Sequence, residues 1–183
     1  MHKSSISALI LTIIFASCKK DNDSANQPTP PSNDGEIITS LILELTDTTT
    51  GSNSQSFAFR DLDAEGANAP VQWDTIRLAP QTVYDARIIV LNEISQPVDT
   101  LSLEIADEAD EHLFCFDSNV PGLNILRTDS DGTFEIGLAS RWFTPTAGTG
   151  EITVTLKHQP GIKDGTCLPG ETDIEVTFPC IIE

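Results

Sequence analysis

The sequence predicts an all-β domain, an antiparallel β-sandwich of about eight to ten strands. Apolar residues recur at every second position through most of residues 36–178, which is the period of strands with one buried face. Clusters of Gly, Pro, Asn, Asp and Ser interrupt these runs, as turns between short strands do. This pattern is typical of immunoglobulin-like sandwiches, and a β-barrel is the alternative architecture.

Residues 1–17 have the layout of a signal peptide. Lys3 gives the start a positive charge, residues 6–15 form an apolar run too short to span a bilayer, and small residues precede Cys18. We expect cleavage before Cys18 and attachment of lipid to that cysteine, as in bacterial lipoproteins. A plain signal peptide followed by a chance cysteine is the alternative.

Residues 18–35 have the composition of a flexible, disordered tether between the lipid and the folded domain. They are polar, include Pro28, Pro30 and Pro31, and contain no large apolar side chain that could offset the entropy lost on ordering. Fully extended, the tether reaches at most roughly 55–60 Å. We therefore expect one folded domain, residues 36–183, that can stand clear of the membrane surface.

The period of two also locates the strands of this domain. Residues 83–91 are rich enough in Ile and Val to predict a strand that is buried on both faces. Residues 105–111 are the one segment that favours a helix, which would be short and acidic. The predicted strands are 36–46, 54–60, 71–78, 83–91, 100–105, 112–117, 133–143, 151–158 and 173–178.

The chain is strongly acidic, with 28 Asp and Glu against 10 Lys and Arg and a formal net charge of −18. Such a surface disfavours nucleic acids and anionic lipid headgroups as partners, because they carry the same sign of charge. It favours cations or basic partners, or it keeps a surface protein soluble.

Beyond the lipid site the chain has three cysteines, an odd number that leaves one thiol outside any disulfide. If residues 151–158 and 171–178 form a long hairpin, Cys167 and Cys180 lie near its opposite ends, about 30 Å apart. A disulfide cannot span that distance. Cys115 is therefore the expected partner of either Cys167 or Cys180, and both pairings stay open.

His112 and His158 share the inward, apolar phase of their strands and lie at strand ends. Imidazoles with nearby carboxylates bind Zn²⁺ and other transition metals, and two histidines can also clamp a haem iron. We expect both rings to converge at one end of the sandwich and to bind a divalent metal, with help from Glu108 or Glu111. The alternative is a pair of rim histidines that are hydrogen-bonded to backbone or carboxylate groups.

Asp61, Asp63 and Glu65 resemble the front half of a calcium-binding loop, with acidic residues at alternate positions before a glycine. Gln72 stands where such a loop has its bidentate Glu, so an ordinary hairpin turn is the alternative. The same choice applies to the Asp-rich residues 129–132.

Catalytic motifs are missing from residues 18–183, including Gly-x-Ser-x-Gly, Ser-x-x-Lys, His-Glu-x-x-His and a Gly-rich phosphate loop. Acidic residues are abundant, yet no pattern pairs two of them as a glycosidase requires. We therefore expect a binding or structural protein rather than an enzyme.

Segments 57–69, 109–114 and 148–178 resemble a group of small lipoproteins from Bacteroidetes. The most specific stretches are Leu-Lys-His-Gln-Pro-Gly at 156–161 and Gly-Glu-Thr-Asp-Ile-Glu-Val-Thr-Phe at 170–178. Members commonly carry the label "type 1 periplasmic binding fold superfamily", a fold of alternating strands and long helices. This sequence has no such helix series, so the all-β prediction stands.

The resemblance implies an outer-membrane lipoprotein, at the cell surface or on the periplasmic side. Residues 18–23, Cys-Lys-Lys-Asp-Asn-Asp, look like the export signal of surface lipoproteins in these bacteria. The resemblance further implies an association with TonB-dependent receptors, and therefore a part in the capture of a nutrient or a metal. The alternative function is a structural or adhesive surface domain that binds a protein or a glycan.

We predict that the mature protein partitions with membranes, and that Cys18→Ala makes it soluble or leaves the precursor unprocessed. The physical reason is the loss of the only residue to which lipid is expected to attach. Fractionation of cells, followed by mass measurement of the N-terminus, checks both results. Normal secretion of a wild-type protein with an unmodified N-terminus would contradict the lipoprotein prediction.

Overall fold

A computed structural model describes residues 37–51, 54–64 and 68–183, which belong to one compact unit. The predicted signal peptide and tether, with Cys18, and also Glu65 lie outside these described residues. In chain order the elements are β1 (Ser40–Asp47), β2 (Ser54–Arg60), β3 (Gln72–Trp73), β4 (Ile76–Leu78), β5 (Val83–Leu91), α1 (Leu101–Asp107), β6 (His112–Ser118), β7 (Asn124–Arg127), β8 (Ala139–Phe143), β9 (Gly148–His158) and β10 (Glu171–Ile182).

Two sheets form the fold, one of six strands in the order β3-β2-β1-β5-β8-β7 and one of four in the order β4-β10-β9-β6. All neighbouring strands are antiparallel except β4 and β10, which run parallel. The prediction of an all-β sandwich is therefore confirmed. Neither sheet closes into a barrel in the described part of the chain.

The core lies between the sheets and is built from the alternate residues of their strands. The inward side chains of β1 and β9 are fully buried, as the pleat requires for a strand with one covered face. The polar atoms of the largest core side chains have partners: Trp142 Nε1 donates to Ser140 Oγ at 2.9 Å, and Tyr84 Oη accepts from Ala79 N at 2.9 Å. The inward residues of these two strands are Leu41, Leu43, Leu45, Ile152, Val154 and Leu156.

The outer face of β5 is exposed at Asp85 and Arg87 and half-buried elsewhere, so the prediction of burial on both faces is wrong. Asp85 and Arg87 project from that face and form ion pairs with Arg141 at 2.7 Å and Glu44 at 2.5 Å. These partners stand directly opposite on β8 and β1. The Ile and Val residues of β5 suggest a buried strand, but the described residues place no third layer over Asp85 and Arg87.

The predicted strand at 71–78 is two short strands that belong to different sheets. Trp73 pairs with Phe59 in one sheet, and Ile76 pairs with Cys180 in the other. Asp74 holds the corner between them, because its carboxylate accepts from Ala58 N at 2.8 Å and its own N–H donates to Ala58 O at 3.0 Å.

The predicted strand at 100–105 is wrong, and the helix begins earlier than the predicted 105–111. In α1 the side chains of Leu101 and Ile105 are buried, whereas Leu103 is 67% exposed. A spacing of four fits both an alternating strand and one face of a helix, so the pattern was ambiguous. In the described part of the chain, no helix is long and apolar enough to cross a membrane.

The predicted strand at 133–143 begins only at residue 139, and β7 was not predicted. The preceding residues form a loop along the free edge of β6, where Phe114 N donates to Ile136 O at 2.7 Å. Arg127 Nε donates to Phe114 O at 2.6 Å. A loop and a side chain thereby cover an edge that could otherwise pair with another chain. Gly137 permits the close approach, since a Cβ there would lie 2.9 Å from the Cβ of Phe114.

The disulfide joins Cys115 to Cys167, with 6.1 Å between the Cα atoms, and Cys180 is a buried free thiol. The expected hairpin is present, because β9 and β10 pair from His158↔Glu171 to Gly148↔Ile182. Cys180 lies near the second end of this hairpin, opposite Gly150. The argument that Cys167 and Cys180 cannot pair is confirmed, and the structure selects Cys167 as the partner of Cys115.

We predict that the folded Cys18→Ala protein exposes no reactive thiol and that unfolding without reductant exposes one, Cys180. Burial raises the pKa of the Cys180 thiol to about 11 and so suppresses the reactive thiolate. A colorimetric thiol assay with and without denaturant checks this. A control with added reductant should release the two disulfide cysteines as well, and a thiol that reacts in the folded state would contradict the structure.

Candidate functional site

His112 and His158 lie directly opposite each other on β6 and β9, at one end of the sandwich. Their rings are stacked, with centroids 4.9 Å apart and planes inclined by 12°. His112 is 2% exposed, and the side chain of His158 is 14% exposed. His158 shares the inward phase of Leu156, as the sequence predicts. The structure therefore brings together the two predicted histidines.

The two predicted glutamates contact the histidines in different ways. His112 Nδ1 lies 3.1 Å from the backbone oxygen of Glu108. Because a carbonyl oxygen only accepts, Nδ1 carries the hydrogen in this contact. Glu111 Oε2 lies 3.6 Å from His158 Nε2. Glu111 thus offers its carboxylate to the pair, whereas Glu108 offers its main chain.

The stacked arrangement is not that of a bound metal ion. A zinc ion lies about 2.0–2.1 Å from an imidazole nitrogen, along the lone pair in the ring plane. The lone pairs of two nearly parallel rings run in separate planes and do not meet at one ion. No group of three or more His, Cys, Asp or Glu that could hold a metal ion occurs within residues 37–51, 54–64 and 68–183. Metal binding by the histidines stays a prediction, and it requires at least one ring to rotate.

The acidic turn at residues 61–64 uses its carboxylates for its own backbone and side chains. Asp63 Oδ2 accepts from Asn68 N at 3.0 Å and from Asn68 Nδ2 at 2.6 Å. A hydrogen bond between the two side chains raises the pKa of Asp61 and lowers that of Asp63. Glu65, the third residue of the predicted calcium site, lies outside the described residues.

The Asp-rich residues 129–132 form a turn, which agrees with the alternative to a calcium loop. Asp129 accepts from Gly137 N at 2.7 Å and Ala139 N at 3.0 Å. Asp131 Oδ1 accepts from Thr133 N and Phe134 N, both at 2.7 Å. These carboxylates are therefore occupied by the chain itself.

Three loops beside the histidines, residues 108–111, 128–137 and 159–170, form what we call the polar cap. Lys163 joins all three, because its Nζ donates to Ala109 O at 2.6 Å and Asp131 Oδ2 at 2.8 Å. The side chains of this ion pair are 3% and 8% exposed. Separation of the two side chains would leave two buried charges without compensation. The pair therefore stays together and keeps the loops in place.

Gln159 holds the third loop of the polar cap from within. Its residue is fully buried, and Nε2 donates to Thr166 O at 2.9 Å and Pro169 O at 2.8 Å. Its backbone N donates to Glu111 O at 2.6 Å. The loop that carries Cys167 is therefore tied down at both of its ends and by the disulfide.

A groove of about 330 Å³ lies on the outer face of the four-stranded sheet, beside the disulfide. We call it the outer groove. This volume is at the small end of the range for ligand pockets, about 300–1,000 Å³. The outer groove is lined by Cys115, Phe116, Asp117, Thr155, Lys157, Cys167, Thr172 and Glu175.

The floor of the outer groove presents hydroxyl groups and charges of both signs. Lys157 Nζ donates to Thr172 Oγ1 at 3.1 Å, and Thr155 Oγ1 donates to Glu175 Oε2 at 3.2 Å. In each case a residue of β9 contacts its cross-strand partner on β10. The carboxylate of Asp117 adds a further negative charge from β6.

Lys157 is the exception among the basic side chains that the structure describes. It takes part in no ion pair with a carboxylate, and its one hydrogen bond is to a neutral hydroxyl. This is unusual in a protein of net charge −18, where carboxylates far outnumber cations. The other described basic side chains, Arg60, Arg77, Arg87, Arg127, Arg141 and Lys163, each contact a carboxylate.

Lys157, Thr155 and Glu175 were not singled out from the sequence, although a signal was present. Thr153, Thr155 and Lys157 alternate with the apolar residues of β9 and so belong to its outward face. The sequence does not reveal that the loop around Cys167 forms a wall beside this face, because the position of that loop depends on the disulfide partner of Cys115. Nor does it reveal which cation lacks a carboxylate, because that depends on the register of three strands.

Comparison of the chain with protein-family models, with curated proteins and with solved structures finds no match.

We predict that Asp131→Asn lowers the free energy of unfolding by about 3 kcal/mol at neutral pH, because it leaves the buried Lys163 without a counter-charge. Lys163→Met should have a similar effect. The double variant should lose less than the sum of the two, because it removes both charges together. Urea unfolding of the four proteins checks this, and strict additivity would contradict a direct ion pair.

Two ion pairs, Lys163 with Asp131 and Arg60 with Glu93, predict a loss of stability in acid. A hydrogen bond from Lys163 lowers the pKa of Asp131 from 3.8 to about 2, and one from Arg60 lowers that of Glu93 from 4.5 to about 2. Because these values lie below those of the unfolded chain, the stabilisation is full above about pH 5 and is lost as the pH falls toward 2. Asp131→Asn should show a shallower decline than the wild type over that range, and parallel curves would contradict the assignment.

Proposed function

We propose that this chain is a membrane-anchored lipoprotein whose β-sandwich captures a small polar ligand in the outer groove. In this proposal the lipid on Cys18 holds the protein at the outer membrane, and the tether lets the domain reach a receptor. A TonB-dependent receptor is the partner that the resemblance implies. The observation that supports capture is the unpaired ammonium group of Lys157 on the floor of the groove.

The charge of Lys157 supports binding because it is available. A ligand that meets Arg87 or Lys163 must displace a carboxylate that already satisfies the cation. A ligand that meets Lys157 displaces only water and a hydroxyl contact, so a charge-assisted hydrogen bond gives a net gain. Among the described cations, Lys157 is therefore the one that an anionic group can approach without displacing a bound carboxylate.

The rigidity of the outer groove supports binding for a second reason. Its floor is a paired sheet, and its wall is tied to that floor by the disulfide between Cys115 and Cys167. Little conformational entropy is lost when a ligand enters a site that is already ordered. The lining side chains supply charges and hydroxyls that can orient a polar ligand.

Two other hollows in the described part of the chain are weaker candidates. The one beside α1 is mainly apolar and borders the exposed Leu103. The other, of about 270 Å³, lies over Asp131 and Lys163, whose charges neutralise each other. Neither offers a cation without a paired carboxylate, because Arg87 and Lys163 each contact one.

The histidine pair supports a second candidate, capture of a divalent metal. The two rings are 4.9 Å apart, and the Glu111 carboxylate lies 3.6 Å from His158. Rotation of His158, the more exposed ring, would bring these groups toward a common ion. A third reading, adhesion to a protein or glycan, needs neither the free cation nor the histidines.

We predict that at least one class of small polar compound raises the melting temperature of the Cys18→Ala protein and fails to do so in a Lys157→Met variant. The screen uses amino acids, monosaccharides, carboxylic acids, inorganic phosphate and zinc chloride. Arg77→Met is the matched control, because Arg77 is a cation on the same sheet that lines no part of the groove. This control should respond as the parent does.

The outcomes separate the three readings. Stabilisation that survives Lys157→Met would contradict the outer groove as the binding site. Stabilisation by zinc that disappears in a His112→Ala, His158→Ala double variant would favour the histidine pair. Absence of any response from every compound class would contradict capture and favour an adhesive or structural domain.

A further inference from the structure

We infer that the outer groove binds a zwitterion of the α-amino acid type, with the ligand carboxylate at Lys157 and the ligand ammonium at Glu175. The inference rests on the proposed capture function and specifies its ligand class. Three features of the groove support it: the spacing of the two charged side chains, their lack of contact with each other, and the hydroxyl groups that hold them apart.

The spacing follows from the strand register. Lys157 stands opposite Thr172, and Thr155 stands opposite Glu175. Lys157 and Thr155 are next neighbours on one face of β9, so these two cross-strand pairs lie about 7 Å apart along the strands. Because Lys157 contacts Thr172 and Glu175 contacts Thr155, we expect roughly that separation between the ammonium and carboxylate groups.

Opposite charges at this distance would normally close into an ion pair, but here they do not. Lys157 and Glu175 form no ion pair, although both side chains lie on the floor of the same groove. Each is held instead by a threonine hydroxyl of the neighbouring strand. The extra residue of β10 between Thr172 and Ile174, where the register shifts, sets Thr172 and Glu175 three positions apart.

An α-amino acid has the length that this gap requires. Its nitrogen and its carboxyl carbon are separated by about 2.5 Å, given the backbone bond lengths. A charge-assisted hydrogen bond of about 2.8 Å at each end connects them to protein groups about 8 Å apart. A monatomic ion is too short to contact both groups, and a polyatomic oxyanion or a dicarboxylate would place negative charge against Glu175.

The sign of the charges excludes simpler ligands. A plain anion that reaches Lys157 meets repulsion from Glu175 and Asp117 in a strongly acidic protein. A plain cation that reaches Glu175 meets Lys157. A neutral sugar can use the threonine hydroxyls, but it would cover both charges without compensating either of them. A zwitterion compensates both at once.

The wall of the groove fits the carbon skeleton of such a ligand. The disulfide of Cys115 and Cys167 presents soft apolar atoms next to the charged floor. Leu168 follows Cys167 in the chain and is 88% exposed. An apolar ligand side chain that packs against these groups would shield the ionic contacts from water and so strengthen them.

The test is a titration of the ¹⁵N-labelled Cys18→Ala protein, followed by amide chemical shifts, with L-alanine and two blocked relatives. N-acetyl-L-alanine keeps the carboxylate and lacks the cation, and L-alaninamide keeps the cation and lacks the carboxylate. We expect L-alanine to shift the amides of Thr155, Lys157 and Glu175. Each blocked compound should bind about tenfold more weakly or worse, because one charge-assisted hydrogen bond is lost.

Variants assign each end of the ligand. Lys157→Met should weaken L-alanine about tenfold, because the carboxylate contact is lost, but it should not weaken L-alaninamide, because it removes a charge that repels this cation. Glu175→Gln should weaken L-alanine but should not weaken N-acetyl-L-alanine, because it removes a charge that repels this anion. Arg77→Met is again the control and should match the parent protein with all three compounds.

Equal binding of the three compounds, or shifts outside the groove, would overturn the zwitterion assignment. Groove shifts caused by another compound class, with no response to L-alanine, would also overturn it and leave the capture proposal standing. If no compound class shifts the groove residues, both the assignment and the capture proposal are wrong.

Discussion

The candidate site depends above all on the burial of one face of β9. Ile152, Val154 and Leu156 are fully buried between the sheets, so the pleat turns Thr155 and Lys157 to the opposite face. The strands on either side pair with β9 in one continuous register on β6 and with a single shift on β10. Their outward residues are thereby carried to fixed places beside Lys157. A slip of one residue would move every one of these side chains to the wrong face. Burial of the inward side chains therefore fixes the register, and the register fixes the positions of the outward polar side chains.

Covalent and electrostatic contacts hold the three loops of the polar cap together. The disulfide ties Cys167 to β6, and the buried pair of Lys163 and Asp131 ties the loops to one another. A buried charge without its partner is strongly unfavourable, so these loops have few alternative arrangements. The wall of the outer groove is thus rigid before any ligand arrives. The other described Lys and Arg side chains are paired with carboxylates. Lys157 is the one described cation whose charge a ligand can neutralise.

Several features of this protein were determined by the sequence alone. A period of two over most of residues 36–178 predicted the sandwich, because burial of one strand face is a local requirement that each strand satisfies separately. The same period placed His158 inward with Leu156. The length of the β9–β10 hairpin excluded a bond between Cys167 and Cys180, since strand rise and disulfide reach are both fixed by covalent geometry.

Other features were decided only by the tertiary structure. Leu101 and Ile105 fit a strand face and a helix face equally well, so packing against the core selected α1. Two segments of 71–78 went to different sheets because their partners come from distant parts of the chain. The partner of Cys115 and the lack of a counter-ion at Lys157 likewise depend on which distant residues lie beside them. A sequence pattern reports which face of a strand is buried, but the residue that stands opposite is set by register between strands, and register is a property of the assembled sheets.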